Sequence, residues 1–195
     1  MTNERQLLDA VERKFTQVGY RWVIFCQLFD SGQENVDLLN KSGSNVFQLL
    51  QQLILDDVML SLCRLTDPPR SMGSENASLR NLVEKLQTRL PGQSKLKIDT
   101  KLTELNAHLA KVRVLRNKAF SHNDLTHALN AALLPRPTYD ELEGAIGAAT
   151  SILNEITGQA FDYSTEYMPH VPYGCDGNKL LAVLAKAHRV SGNEG

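Results

Sequence analysis

Apolar residues along this chain recur mostly at spacings of three and four, the period of a helix with one buried face. No stretch alternates convincingly in the manner of a half-buried strand. Residues 4–18 read as one helix, and "YRWVIFCQLF" (20–29) as a second apolar segment close behind it. "DSGQEN" interrupts the pattern with turn-forming residues. A long helix then runs from about Asn45 to Asp67 and stops at "DPPR", because proline disfavours helix in the residue before it and donates no hydrogen bond. "SMGSEN" reads as a loop, and Ser78 as the N-cap of "LRNLVEKLQTRL", which Pro91 and Gly92 end. Leu102, Leu105, Leu109, Val112, Leu115 and Ala119 mark one side of a helix from about Lys95 to Ser121. Thr138 followed by Glu141 forms a capping box for a helix over 139–160. The segment "FDYSTEYMPHVPYGCDGN" reads as an aromatic, proline-rich loop, and 178–190 as a last short helix. The pattern predicts an all-α chain with four long helices as its bundle core. Residues 1–160 form its helical domain, and residues 161–195 a loop and short C-terminal helix packed on the same domain.

Composition narrows the class. With 195 residues, 42% hydrophobic and 22% charged, the chain suits one soluble domain with a real core. The longest apolar run, "LILDDVMLSLC", holds two aspartates, so no stretch is expected to approach a membrane span and no membrane partner is expected. The N-terminus "MTNERQLLDAVERKF" is charged and lacks an apolar signal core. Cys26, Cys63 and Cys175 are far apart and odd in number; Cys26 and Cys63 sit in apolar runs as buried thiols, and a reducing cytoplasm fits best. No phosphate loop, nucleophile elbow or dinucleotide fingerprint is present, and no cofactor is implied. His170, Cys175 and His188 match no familiar zinc spacing, so no metal site is expected.

Two polar features stand out against this background. After Leu53 the 45–67 helix is apolar except at Asp56, Asp57, Ser61 and Arg64, and positions 57, 61 and 64 share a face. On a helix so apolar, Asp57 and Arg64 are expected to be buried and paired with another helix. The second feature is "RVLRNKAFSHND" (113–124). Seven basic residues (Lys95, Lys97, Lys101, Lys111, Arg113, Arg116 and Lys118) lead into it against two acids, Asp99 and Glu104. Such a stripe serves either as a footprint for phosphates or as a solvated face balanced by acids elsewhere. Arg116 offers a planar cation suited to phosphate, and His122 titrates near neutrality. On an ideal helix they point about 120° apart, so they converge only if the helix ends before His122 or two subunits share the site. The Arg-to-His spacing alone is near chance in a chain with eleven arginines and five histidines. A plain scaffold in which Arg116 and Asp57 pair across the core is the bland alternative.

Taken together, "WVIFCQLF", "LSLCRLTDP", "NASLRNLVEKL" and "RNKAFSHND" resemble the HEPN superfamily, and within it the abortive-infection proteins of the AbiU type. The likeness covers roughly residues 20–160, and "RNKAFSH" (Arg116 to His122) matches the superfamily's signature. The resemblance implies a HEPN-like four-helix up-and-down bundle with additional N- and C-terminal helices. It implies a metal-independent endoribonuclease of a toxin–antitoxin or phage-defence system, with its site assembled at a homodimer interface. Carried over, Arg116 would stabilise the scissile phosphate, His122 would be the acid/base group, and Asn117 would orient either. Arg113, Lys118 and Lys111 are the expected RNA-binding residues, and Asp57, Ser61 and Arg64 the supporting ones. In some HEPN toxins a Tyr two residues after the His is nucleotidylated by an antitoxin; here that position is Asp124, so this mode of control is not implied. Other HEPN proteins are non-catalytic binding modules, and an antitoxin protein remains a possible partner.

Overall fold

The computed structural model describes residues 3–120, 134–168, 171–172 and 174–192, with only the backbone at 119, 120, 191 and 192. Within these residues the chain is helical apart from one small hairpin. The helices are α1 (Glu4–Phe29), α2 (Gln33–Leu65), α3 (Leu79–Leu86), α4 (Gly92–His108), α5 (Ala110–Leu115), α6 (Tyr139–Phe161) and α7 (Gly177–Gly192). A single π turn, Arg116–Phe120, continues directly from α5.

The two segments expected before residue 30 are one helix. Phe15, Val18, Trp22 and Phe25 are all buried and spaced by three or four, so one apolar face runs past Gly19 without a break. The turn after α1 is tight because Gly32 takes φ +117°, where a side chain would be strained. α2 begins at Gln33, well before the expected Asn45, and leaves helical geometry only at Gly43. It is long and apolar enough to cross a membrane by length and composition alone, so the expectation that no stretch approaches a span is too strong.

By its internal contacts the chain divides into two compact units. The first comprises residues 1–15 and 59–167. Its core draws Leu8 and Val11 from α1, Leu62 and Leu65 from α2, Leu82 and Leu86 from α3, and Leu105, Val112 and Ile152 from the later helices. Small residues let α6 approach α4 closely: a Cβ on Gly144 would lie 2.4 Å from the His108 ring. The end of α6 is fastened by Arg89, which lies over the Phe161 ring, pairs with Glu4 at 3.1 Å and donates to the Ala160 carbonyl. Tyr163 and Tyr167 both donate to Glu12 Oε1, at 2.8 and 2.6 Å. Burial, then the Glu12 carboxylate, pushes the Tyr163 phenol up to about 12, and drives Tyr167 up further in the same direction.

After α2 the chain forms a strand pair not expected from the sequence, with β1 (Arg70–Ser71) antiparallel to β2 (Ser74–Glu75). Met72 and Gly73 both take positive φ between them, the backbone that a tight hairpin turn requires. Asn76 holds the base of this hairpin by donating its side chain to Pro68 O and its backbone N–H to Pro69 O, each at 2.8 Å. Ser78 caps α3, and Thr138 with Glu141 forms the capping box of α6, both as expected.

The second unit comprises residues 16–58 and 168–195. Leu28, Leu39 and Leu181 form its core, with Phe29, Leu38, Phe47 and Leu184 packed around them. Gln27 fixes the start of α7: its side chain accepts from Gly177 N at 2.9 Å and donates to Asp176 at 3.3 Å.

Candidate functional site

The site is built where regular α-geometry ends. Leu109, Val112 and Leu115 are buried and anchor one face of α4 and α5, which sets Arg113 and Arg116 off that face. Helical geometry loosens at Leu109 and gives way to the π turn at Arg116, one residue past α5. Single π turns inside helices often accompany functional sites.

The two arginines reach the end of α2 at successive residues. Arg113 Nη2 donates to Thr66 Oγ1 at 2.6 Å and to Asn106 Oδ1 at 3.0 Å. The Thr66 hydroxyl in turn donates a hydrogen bond to the Cys63 carbonyl at 2.9 Å. Arg116 Nη1 pairs with Asp67 Oδ1 at 2.7 Å, with 27% and 26% of the two side chains exposed. Its Nε also donates to Asn117 Oδ1 at 3.3 Å. Arg116 is therefore held by two groups while still open to solvent, and its Nη2 has no partner among the described residues. Under the arginines lies Cys63, fully buried. Burial pushes its thiol up, Arg113 and Arg116 pull it down, and Asp67 acts with burial. Cys63 stays a protonated, inert thiol at neutral pH. Cys26, also expected in the core, is only half-buried.

The basic stripe is largely answered by acids. Lys97 pairs with Glu155, Lys101 with Glu104, Lys111 with Glu141 and Arg116 with Asp67. The Lys111 bond and the Thr138 backbone hold the Glu141 carboxyl below its ordinary range. Lys111 thus serves the start of α6, and Arg113 serves the interior. Asn117 and Lys118 are exposed.

The 57, 61, 64 face is less buried than expected. Asp57 pairs with Arg21 on α1 at 3.0 Å, with 44% of its side chain exposed and no hydrogen-bonding angle. Ser61 is half-buried, and Arg64 is exposed with no ion pair among the described residues. The Arg116–Asp57 pairing of the scaffold alternative is replaced by two separate pairs, Arg116–Asp67 and Asp57–Arg21. His122 lies outside the described residues, as do Asp124, His127 and His170. Among the described residues no three His, Cys, Asp or Glu side chains gather to hold a metal ion. Sequence reasoning missed Thr66, Asp67 and Asn106. The signal available was "RLTDP" itself, a polar pair just ahead of a helix-stopping proline.

A family model described as HEPN AbiU2 matches residues 4–173. No curated protein matches the chain, and no solved structure does.

Proposed function

This chain belongs to the AbiU2 family of HEPN proteins, and from that premise we propose that it is a metal-independent endoribonuclease acting in abortive infection. Arg116, Asn117 and His122 carry the chemistry, in a site completed by a second copy of the chain. The observation that supports this most is the Arg116–Asp67 pair at 2.7 Å with the second contact of Arg116, to Asn117. A guanidinium held on two edges presents a pre-aimed remaining edge to a phosphate oxygen. RNA brings its own nucleophile. His122 takes the proton of the 2′-hydroxyl, whose oxygen then attacks the adjacent phosphorus. The bond to the 5′-oxygen breaks with a proton returned to that oxygen, leaving a cyclic 2′,3′-phosphate and a free 5′-hydroxyl. Arg116 offsets the charge that gathers on the phosphate in the transition state.

A second reading, a non-catalytic HEPN module, draws support from the stripe of Lys97, Lys101 and Lys111, whose charges already have carboxylate partners. The two part in one assay: RNA incubated with the protein in EDTA, comparing wild type with Arg116→Ala and His122→Ala. Cleavage by the wild type that both changes abolish fits the enzyme. Binding without cleavage, unchanged in both variants, fits the module.

A further inference from the structure

Lys97, Lys101 and Lys111 already face carboxylates, which leaves other cations of the first unit free to meet RNA. Two of them flank Asp67, the residue that holds Arg116. Arg64 and Arg70 are exposed, and neither has an ion pair among the described residues. The chain leaving α2 is wound tightly: Thr66 N donates to Cys63 O at 3.0 Å and Asp67 N to Arg64 O at 3.3 Å. Residues three apart eclipse in such a turn, which sets Arg64 on the same side as Asp67. Arg70 comes shortly after Asp67, so at most about 11 Å of extended chain separates them. The acids nearby are engaged. Glu75 stands opposite Arg70 in the hairpin, but both its oxygens lie on Lys85 Nζ, at 3.1 and 3.0 Å. Asp57, earlier on α2, faces Arg21. The hairpin is a braced arm. The Asn76 side chain donates to Pro68 O at 2.8 Å and to Ser71 Oγ at 3.0 Å, and its carbonyl accepts from the Asn81 side chain at 2.8 Å. At the tip Met72 is fully exposed and takes φ +50°, ahead of Gly73 at +83°. Asn, Asp or Gly suits that backbone, and a methionine there is strained while covering nothing.

We propose that this arm is a second RNA contact beside the scissile site. Arg64 and Arg70 each hold a backbone phosphate neighbouring the one at Arg116, and Met72 lies as an apolar wedge against an unpaired base. The proposal rests on the reading of the chain as an RNA-cleaving protein, and adds to it the course of the strand. Arginine contacts to phosphate fix register without regard to sequence. Methionine is unbranched and polarizable, and it is among the apolar side chains that wedge against bases in nucleic-acid complexes. Base faces are open to such a side chain in single strands, loops and bulges rather than in a regular RNA duplex. Contact with a base face tolerates any base, because each has one. The substrate class that follows is RNA single-stranded beside the cut, bound with little sequence preference. The strand crosses the end of α2 and the hairpin, and the lysine stripe stays outside its path.

The test is the affinity of the full chain for a short fluorescein-labelled single-stranded RNA of mixed sequence, read by anisotropy across a salt series in EDTA. A His122→Ala background keeps the probe intact. Arg64→Ala and Arg70→Ala should each weaken binding about tenfold and take about 0.7 from the slope of log affinity against log salt. Met72→Gly should weaken binding about fivefold and leave the slope unchanged, since it removes a base contact and no charge. The same change should raise the thermal midpoint, because glycine takes a positive φ without strain. Loss of folding cannot produce opposite signs of that kind. Lys97→Ala and Lys101→Ala should change affinity by less than about twofold, since their charges are answered within the protein. Undiminished binding by Arg70→Ala and Met72→Gly, or equal losses from the two lysine changes, overturns the arm. Cleavage by the same changes with His122 restored separates this proposal from the reading beneath it. RNA cut at the wild-type rate by Arg70→Ala and Met72→Gly overturns the arm and leaves the endoribonuclease standing. RNA held through the arm and never cut by the wild type supports the arm and overturns the endoribonuclease.

Discussion

Arg113 and Arg116 are one helical turn apart and meet neighbouring residues just past the end of α2, yet their surroundings assign them opposite work. Arg113 satisfies Thr66 and Asn106 with a single nitrogen. Replacing it with Ala takes the donor away from the buried Thr66 hydroxyl and the half-buried Asn106 carbonyl oxygen, and is expected to cost about 1–3 kcal/mol in urea unfolding. Arg116→Lys keeps a charge near Asp67, a pair open enough to solvent that stability should move by less than about 1 kcal/mol. Under the proposed mechanism the same change removes the planar fork, and RNA cleavage should fall by about a hundredfold. Arg116 and Asn117 were legible in the sequence because the motif names them. Asp67 was not, since a carboxylate ahead of two prolines reads as a helix stop. Only the folding of "RLTDP" against α5 gives it a partner. A second residue-level expectation concerns Tyr163 and Tyr167, whose phenols are raised by burial and by Glu12. A raised phenol stabilises the fold fully below its unfolded value of 10.0 and loses that contribution as pH climbs through about 12. Thermal melting from pH 9 to 12 should show this loss, and Tyr163→Phe with Tyr167→Phe should flatten it.

At the scale of elements, the helices that are legible are those punctuated by caps and prolines: α3 behind Ser78 and α6 behind Thr138 both begin where their N-caps predict. The errors come where tertiary packing overrides local preference. Gly19 suggests a break, but the buried face of Phe15, Val18 and Trp22 carries α1 through it. The first turns of α2 lack a strong apolar period, and Leu38 and Leu39 are ordered by packing on Leu28 and Leu181. The approach of α4 to α6 shows how narrow such packing is. Gly144→Ala should destabilise by about 1–3 kcal/mol, because its methyl overlaps the His108 ring. In a His108→Ala background the penalty should vanish, and a double-mutant cycle of urea midpoints reads the difference. A cost that survives the second substitution would mean that backbone, rather than the imidazole, sets the spacing.

At the scale of the whole molecule, the chain is all-α and HEPN-like, as its family membership and its helices agree. That class was legible because helical period pervades the sequence. The division into two units was not, because each unit is assembled from separate stretches of chain and no change of composition marks its borders. The exposure of Val46, Leu49, Leu50 and Leu53 was equally hidden, since a sequence shows that residues are apolar and not which of them find cover. Under the proposed function the open edge of Arg116 has a consequence for dosage. A site that a second copy must complete is lost when the copies part on dilution, so turnover per chain should fall as the protein is thinned below its dissociation constant. Serial dilution at fixed RNA concentration measures this, and a flat profile would contradict it. In a cell the same behaviour would be a threshold: a few copies stay silent, and a modest rise in abundance switches the population on.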